Sequence, residues 1–336
     1  MKAAIYLGQK NVQIRELPDP VCGDNDVVIQ NIYSSICGTD VAVYTHGPGT
    51  GHQIDVGGEF GHETVSRVVA VGKNVKEFQV GERVYPYPLL AKKDPKRAGT
   101  VGGFSEYILI PEPERGRSLY AVPESISDRL ACLIEPFTVG CRAARRAQPQ
   151  KGEHAVVFGC GTIGLAAAAA LYHFGVDKVM ICDVSDFRLQ IAKNMGFKVC
   201  NTSREDFLEK GAAYFGTAPA LTGPVPDIDC WIDAAGADSI LDMYMQHGKI
   251  VSRFVIVAVN NKPRQLDLLH LTYAQKSIIG AGGYFPEDVK DVMAIMESGR
   301  LDLESIITHE FPLEKLSEAI ETAADTAHAL NVIIDF

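Results

Sequence analysis

The hydrophobic and polar positions of this chain follow a strand-like pattern over residues 1–110. Short apolar runs rich in β-branched residues, such as DVVIQNIYSSI, ETVSRVVAVG and SEYILIP, alternate with turn segments that include 23–26 and 72–74. Runs of this length bounded by Gly, Asp and Asn are typical of β-strands. We therefore expect the first third of the chain to form a β-rich domain.

From about Ser127 the pattern changes to strands that alternate with helices. A helix is predicted over 134–147, because Pro149 and Gly152 end its periodic pattern. The strands that follow are predicted over 154–158, 179–182, 228–232, 250–258 and 277–280, with helices over 162–174 and 186–195. Strands and helices that alternate in this way form parallel βαβ units.

After Gly283 the elements are mixed again. Helices are predicted over 286–298 and 313–324, and strands over 307–311 and 332–334. A chain of 336 residues is long enough for two hydrophobic cores. The pattern therefore indicates an α/β protein of two domains, with the βαβ domain inserted before a C-terminal segment of mixed structure.

A glycine-rich loop follows the first of these buried strands and opens the next helix. Its sequence is Gly159-Cys160-Gly161-Thr162-Ile163-Gly164. In a GxGxxG loop the first glycine permits the tight turn and the second lets the backbone approach a pyrophosphate. The third lets the helix pack closely on the sheet, and the helix N-terminus favours an anion. The loop predicts a dinucleotide site.

Asp183 ends the next strand, 19 residues after Gly164. A carboxylate at this place accepts hydrogen bonds from the adenosine ribose and repels a 2′-phosphate, so NAD is favoured over NADP. The alternative is a glycine turn that packs a helix without any ligand, with Asp183 as a cap at the strand end.

The charge balance argues against two classes of partner. The chain has 32 Lys and Arg against 42 Asp and Glu, a net charge of −10. An acidic surface repels nucleic-acid phosphates and anionic membranes, so we expect neither as a partner. The longest apolar run, 165–172, is too short to span a bilayer, and the first twenty residues lack the apolar core of a signal peptide. We expect a cytoplasmic protein.

Two short motifs in the β-rich part carry metal-ligand side chains. Cys37-Gly38-Thr39-Asp40 and Gly61-His62-Glu63 supply a thiol, an imidazole and a carboxylate, which are zinc ligand types. Asp40 is a natural acceptor for the N–H of His62, and Glu135 is a carboxylate inside an apolar stretch. The alternative is a packed cysteine, a hydrogen-bonded histidine and a capping glutamate. The spacing alone leaves both readings open.

The order of the CGTD, GHE, Glu-Pro-Phe and GCGTIG motifs resembles that of the zinc-dependent medium-chain dehydrogenases/reductases. Within that superfamily the chain looks most like the polyol branch, which includes sorbitol, threonine and bacterial L-galactonate/L-gulonate dehydrogenases. The segments 102–107, 134–137 and 145–147, together with Ile307-Thr308-His309, look closest to the sugar-acid enzymes. The resemblance covers essentially the whole chain.

This resemblance implies a GroES-like β-rich catalytic domain formed by residues 1–147 and 284–336. A Rossmann NAD-binding domain would span residues 148–283. The family's catalytic zinc ligands match Cys37, His62 and Glu63. Glu135 matches the glutamate that either binds zinc directly or holds its water, and Thr39 matches the hydroxyl that relays the substrate proton.

Further positions carry over with some departures. Tyr44 and Tyr284 match pocket positions near a polyol substrate, and Arg188 matches the basic residue near the adenosine ribose. Ala42 stands where many relatives have a proton-relay histidine, and Gly283 where sorbitol dehydrogenases have an arginine.

The segment that carries four structural-zinc cysteines in relatives is replaced here by residues 87–100, which contain no cysteine. We therefore expect one catalytic zinc per chain and no structural zinc. The arginines at 142, 145 and 146 could meet a substrate carboxylate, but a salt-bridged helix face is the simpler reading.

The resemblance thus implies a zinc-dependent oxidoreductase that transfers a hydride between NAD and a secondary alcohol of a polyol, sugar acid or related small polyhydroxy substrate. Two alternatives are a zinc-free NADPH quinone or enoyl reductase of the same fold and a non-catalytic dinucleotide-binding protein. We expect a homodimer or homotetramer that acts on a small alcohol or ketone.

Overall fold

The computed structural model describes residues 1–49, 54–91, 101–260 and 262–336. Its strands are β1 (Lys2–Gly8), β2 (Asn11–Glu16), β3 (Asp26–Ser35), β4 (Glu63–Val71), β5 (Arg83–Pro86), β6 (Tyr107–Pro111), β7 (Leu119–Ala121), β8 (His154–Phe158), β9 (Lys178–Asp183), β10 (Lys198–Asn201), β11 (Thr217–Ala220), β12 (Gly223–Pro226), β13 (Cys230–Asp233), β14 (Arg253–Ile256), β15 (Ser277–Gly280), β16 (Ile307–Pro312) and β17 (Asn331–Asp335). Its α-helices are α1 (Gly38–His46), α2 (Asp128–Ala131), α3 (Ile134–Arg146), α4 (Thr162–His173), α5 (Asp186–Asn194), α6 (Phe207–Phe215), α7 (Asp238–His247), α8 (Leu268–Tyr273), α9 (Pro286–Glu297) and α10 (Leu316–Ala324). None of the helices in these ranges is long and apolar enough to cross a membrane.

The chain divides into two compact units, residues 1–135 with 303–336 and residues 136–302. The resemblance implies slightly different domains, residues 1–147 with 284–336 and residues 148–283. The difference arises because most of α3 and all of α9 belong to the second unit. A Cβ at Gly140 of α3 would lie 2.6 Å from the Cβ of Ala166 on α4, and Arg145 of α3 donates to Asp288 of α9 at 2.6 Å.

One sheet of seven strands organises the first unit. Its order is β16-β17-β3-β4-β5-β7, with β6 also on β3. The long strand β3 pairs along one edge with β4, and along the other with β6 and then β17, all antiparallel. Apolar side chains of α1, α10 and this sheet share a core that includes Val43, Phe60, Phe104, Leu316 and Ile320. The end of β3 and the start of β4 and of β17 therefore lie together at one end of the sheet.

The second unit contains a six-stranded parallel sheet in the order β10-β9-β8-β13-β14-β15. The first strand of this sheet in sequence, β8, lies in its middle. The next two strands, β9 and β10, extend the sheet on one side of β8, and β13, β14 and β15 extend it on the other side. The strand order therefore reverses between β8 and β13, which is the topological switch point of a Rossmann fold. Ligands of such sheets bind outside the carboxyl ends of the strands at this point.

The elements that the sequence pattern predicts most sharply are confirmed. The strands expected over 154–158 and 277–280 have these bounds, and α4 and α5 each end one residue before their expected ends. The strand expected over 250–258 is shorter, since β14 covers only Arg253–Ile256. The elements that the pattern missed are β2, α1, β7, α2, β10, α6, the β11–β12 hairpin, α7 and α8.

Candidate active site

Cys37 lies between the end of β3 and the first residue of α1. Its backbone N–H donates to the Asp40 carboxylate at 3.0 Å, which caps the first turn of the helix. Asp40 is fully buried, so this bond fixes both the start of the helix and the carboxylate itself. The thiol of Cys37 is thereby held at the end of the sheet.

A tightly packed glycine, Gly61, precedes His62 and the first residue of β4, Glu63. Gly61 has φ +90°, and a Cβ at this position would lie 2.5 Å from the ring of Phe104. Gly103 is equally constrained, because a Cβ there would lie 2.6 Å from the backbone nitrogen of His62. These close approaches require glycine and place the imidazole next to the end of β3.

Asn31 holds the segment that packs on this turn. Its buried side-chain amide lies within hydrogen-bonding distance of the carbonyls of Gly102, Gly103 and Ser105, at 3.1, 3.2 and 2.7 Å. The sequence analysis missed Asn31, since nothing in a strand pattern distinguishes an inward asparagine from an outward one. The only available signal was the glycine pair at 102–103.

The structure brings Cys37, His62 and Glu63 together. One ligand atom of each, a sulfur, a ring nitrogen and a carboxylate oxygen, lies within 4.8 Å of the other two. His62 Nδ1 lies 3.4 Å from Asp40 Oδ1, and His62 Nε2 lies 4.0 Å from Glu63 Oε1. Asp40 therefore occupies the expected place beside the imidazole, where it can fix the tautomer of a metal-binding histidine.

The electrostatics of this cluster suit a divalent cation. Burial and the neighbouring Glu63 carboxylate raise the pKa of the Cys37 thiol to about 12. Burial and the charge of Glu135 raise the pKa of Glu63 to about 7. Thiolate and carboxylate ligands must be deprotonated to bind a metal, and the ion's own charge reverses both shifts. The buried atoms Thr39 Oγ1 and Glu63 Oε2 have no hydrogen-bond partner among the described residues, so this donor set fits a metal ion.

The remaining predicted residues of the first unit separate into two groups. Thr39 lies in the first turn of α1, two residues from Cys37, and Glu135 is a buried carboxylate whose charge acts on Glu63. Tyr44 was expected in a substrate pocket, but the structure places it elsewhere. Its ring is 5% exposed in the hydrophobic core, and its hydroxyl donates to Glu321 at 3.3 Å. Five residues along a helix turn a side chain by about 140°, so Thr39 and Tyr44 lie on different sides of α1.

The glycine loop of the second unit has the geometry that a dinucleotide needs. Gly159 has φ +102°, and a Cβ there would lie 2.9 Å from Ala234 at the end of the neighbouring β13. A Cβ at Gly164 would lie 1.8 Å from the carbonyl oxygen of Gly159. By contrast, the space at Gly161 is open apart from the Arg188 guanidinium at 3.8 Å. Thr162 and Ile163 form the first turn of α4, so the helix N-terminus faces this open space.

Asp183 is fixed at the end of β9 by backbone donors. Its carboxylate accepts from the N–H groups of Cys160 at 2.6 Å, Val184 at 2.7 Å and Ser185 at 2.8 Å. Asp183 therefore does cap the strand end, as expected if the glycine turn bound no ligand. The same bonds also leave the carboxylate on the wall of a cavity of about 390 Å³. The cavity is lined by Phe158, Gly159, Cys182, Asp183, Val184, Thr202, Ala235, Ala237, Ser239, Ile240 and Met243.

This cavity is apolar on most sides and has a carboxylate at one edge, which suits an adenosine group. The sequence analysis missed Thr202, Ser239 and Met243, which lie on elements that it did not predict or on their flanks. Arg188 lies on α5 behind the loop, with its backbone carbonyl accepting from the Cys160 thiol at 3.2 Å. Burial lowers the pKa of Arg188, and the charge of Asp183 opposes this effect.

The side chains of the three arginines of α3 contact other residues of the second unit. Arg145 pairs with Asp288 and Asp291, and Arg142 lies 3.8 Å from Asp288 with its guanidinium over the ring of Phe285. Arg146 donates to a backbone carbonyl of β15. These contacts agree with the salt-bridged helix face that the sequence suggested. Tyr284 is a buried residue of the same unit, between β15 and α9.

Two family models match the chain, one mostly in the first unit and one in the second. Residues 23–124 match the family model of the alcohol dehydrogenase GroES-like domain, and residues 162–298 match that of zinc-binding dehydrogenase. The chain belongs to the zinc-dependent medium-chain dehydrogenase/reductase superfamily. It is thus an oxidoreductase with a GroES-like domain and a Rossmann domain.

Individual relatives of this superfamily member are distant but cover its full length. L-threonine 3-dehydrogenase of Yersinia pestis is 29% identical over 343 residues, which is 96% of either chain. The structure of 2R,3R-butanediol dehydrogenase from Bacillus subtilis has a TM-score of 0.86 at 25% identity, with 100% of this chain and 99% of the other covered. A short chain alcohol dehydrogenase from Escherichia coli CFT073, complexed with cofactor NADH, has a TM-score of 0.85 at 26% identity and the same coverage.

Proposed function

We propose that this protein oxidises a secondary alcohol of a polyol, sugar acid or related small polyhydroxy compound with NAD as the hydride acceptor. The observation that carries the proposal is the group formed by the partly buried Cys37 and the buried His62 and Glu63, whose ligand atoms lie within 4.8 Å of one another. A thiolate, an imidazole and a carboxylate are the ligand set of a catalytic zinc site that keeps one position open. A zinc-free reductase or a non-catalytic protein would not need this set.

Each residue of the cluster has a definite task in this proposal. Cys37, His62 and Glu63 would hold zinc, which when bound supplies a Lewis acid for the substrate oxygen. Asp40, whose Oδ1 lies 3.4 Å from His62 Nδ1, would keep His62 in the tautomer whose other nitrogen can bind the metal. Glu135 places a second buried carboxylate beside Glu63, either as a further ligand or as the residue that holds a water.

Thr39 is the group proposed to take the substrate proton. It lies two residues from Cys37, and its hydroxyl is buried without a hydrogen-bond partner among the described residues. A partnerless hydroxyl is costly to bury, which is understandable if a substrate hydroxyl supplies the missing bond. Ala42 stands where many relatives have a relay histidine, so in this proposal the proton would pass from Thr39 to water and not to a side chain at position 42.

The cofactor is proposed to be NAD, held by the glycine loop and the cavity beside Asp183. The open space at Gly161 and the N-terminus of α4 would receive the pyrophosphate. Asp183 is anchored by three backbone N–H groups, so its carboxylate stays at the cavity wall and can accept bonds from a ribose hydroxyl. NADH in one of the similar structures is consistent with this proposal.

The substrate class can be tested by NAD reduction across a panel. The panel contains polyols, aldonates, inositols, L-threonine and 2,3-butanediol, and NADH formation is measured by its absorbance. We expect turnover with at least one polyol or sugar acid and slower turnover with L-threonine. Turnover confined to L-threonine or to butanediol would overturn the proposed substrate class but leave the dehydrogenase assignment intact.

The metal content is expected to be about one zinc per chain, because a closed structural site needs four protein ligands and residues 87–100 contain no cysteine. Of this segment, residues 92–100 lie outside the described residues. Elemental analysis of protein purified without added zinc, with protein concentration from amino-acid analysis, measures the ratio. Two tightly held zinc ions per chain would contradict the expectation.

Cofactor choice is expected to depend on Asp183. NAD should be strongly preferred in the unmodified protein, and Asp183→Asn should raise kcat/KM for NADP relative to NAD by at least about tenfold, since the like-charge repulsion of the 2′-phosphate is removed. Asp186→Asn is a matched control, because it removes the same charge three residues away at the start of α5. Equal use of NADP and NAD by the unmodified protein would show that Asp183 does not select the cofactor.

A further inference from the structure

Two buried polar side chains lie beside Glu63 on neighbouring strands of its sheet. Ser35 on β3 is the direct antiparallel partner of Glu63 on β4, and it is 0% exposed. Asn331, the first residue of β17, is 3% exposed and donates its side-chain amide to Ser35 Oγ at 2.9 Å. Burying a serine and an asparagine costs free energy unless their polar groups are used, so this pair requires an explanation.

The direction of that hydrogen bond leaves the Ser35 hydrogen free, and Ser35 makes a side-chain hydrogen bond to the Glu63 carboxylate. The amide of Asn331 occupies an acceptor site on Ser35 Oγ, and a hydroxyl still has one hydrogen to donate. Directly opposed residues of an antiparallel pair carry their side chains on the same face, with Cβ atoms about 5 Å apart. The backbone of Glu63 is also held, since Ser34 Oγ donates to its carbonyl at 2.6 Å. The metal-ligand carboxylate is therefore supported from β3 through both its side chain and its main chain.

Thr308 fixes the backbone of Asn331. The β16–β17 register passes from Ile307 opposite Asn331 to His309 opposite Val332, so Thr308 is the extra residue of a β-bulge. Its hydroxyl donates to the Asn331 carbonyl at 3.0 Å and accepts from the Leu330 N–H at 3.1 Å. Bulges often redirect a side chain near a site, and this one clamps the backbone from which the Asn331 amide extends.

We propose that Ser35 and Asn331 are positioning residues that hold the Glu63 carboxylate in place as a metal ligand, and that Thr308 keeps Asn331 in register. This inference rests on the proposed assignment of Cys37, His62 and Glu63 as the ligands. The Ile307-Thr308-His309 motif would then support a metal site whose ligands lie about 245–270 residues earlier in the sequence. Removal of a side chain that orients a metal ligand typically weakens metal binding by about 10- to 100-fold.

The test measures zinc affinity by competition with a chromophoric chelator, independently of activity. The variants are Ser35→Ala, Asn331→Leu, and Ser35→Thr, which keeps the hydroxyl. Ser252→Ala is the matched control, because Ser252 is another fully buried serine, lies in the second unit and donates to the Lys249 carbonyl at 2.7 Å. We expect Ser35→Ala and Asn331→Leu to weaken zinc binding by about 10- to 100-fold, and Ser35→Thr and Ser252→Ala to change it by less than about threefold.

Two results would overturn the positioning role. Zinc affinity within about threefold of the unmodified protein in both Ser35→Ala and Asn331→Leu would exclude it, as would an equal loss in Ser252→Ala. If Asn331→Leu does not fold, Thr308→Val takes its place, with loss of affinity expected and unchanged affinity counting against the proposal. Failure of the ligand assignment is recognised separately, because the unmodified protein and Cys37→Ala would then bind zinc equally.

Discussion

Thr39→Val is expected to lower kcat by about 10²-fold or more, which is the usual scale for the loss of a positioned proton-transfer group. Valine keeps the β-branched shape of threonine and removes only the hydroxyl. The hydroxyl is buried without a partner among the described residues, so its removal leaves no other polar atom unpaired there. Zinc content and NAD affinity should therefore remain normal. The measurement is kcat as a function of pH, with zinc quantified on the same sample.

Thr39→Ser is the control for this prediction, since it keeps the oxygen and removes a methyl group. Most of the activity should remain in this variant, because the proton acceptor is still two residues from Cys37. Near-normal turnover of Thr39→Val at neutral pH with zinc intact would remove Thr39 from the proposed mechanism.

Cys37→Ala is expected to abolish tight zinc binding and to reduce turnover by about 10³-fold or more. A Lewis-acidic metal contributes several kcal/mol to transition-state stabilisation, and each 1.36 kcal/mol is about a tenfold change in rate. The fold should survive, since the bond from the backbone N–H of residue 37 to the Asp40 carboxylate at the helix start does not depend on the thiol. Elemental analysis, circular dichroism and kcat on one preparation measure the three properties together.

Cys22→Ala is the matched control, because Cys22 is another free, partly buried cysteine of the same unit. Its thiol donates to the backbone carbonyls of Gly23 and Asp26. We expect normal zinc content and normal turnover in this variant. A Cys37→Ala protein that retains one zinc per chain and full activity would exclude Cys37 as a ligand.

The parallel sheet and its glycine loop could be predicted because their signals are local. A buried strand, the GxGxxG loop and the following helix are contiguous in sequence, and the acid at the end of the next strand is at a fixed distance. The structure accordingly places Gly159 and Asp183 where the sequence analysis put them, at adjacent strand ends. Fold class therefore follows from pattern alone in this half of the chain.

The helix α1 could not be predicted because its own residues do not favour it. Val41, Val43 and Thr45 are β-branched and lower helix propensity, and Gly38 is at its first position. The helix is stabilised by packing, since Val43 is fully buried in the core shared with α10. The resemblance implied a position in the substrate pocket for Tyr44, whereas the structure packs Tyr44 in that core.

The supporting residues of the cluster were missed for a different reason. Asn31, Ser35 and Asn331 act across strands, and the register of a sheet decides which side chains meet. A shift of one residue would turn each of these side chains to the other face of the sheet. The ligand types at Cys37, His62 and Glu63 were recognisable from their motifs, whereas the residues that hold them became visible only with the strand pairing.

Titration of zinc into chelator-treated protein during NAD reduction tests the central claim most directly. The substrate is the best polyol or sugar acid of the panel, and the rate of NADH formation is followed as zinc is added. We expect almost no rate before addition and a linear rise that saturates at about one zinc per chain, with no such rise in Cys37→Ala. Full NADH formation by the metal-free protein would contradict the proposed zinc-dependent dehydrogenase.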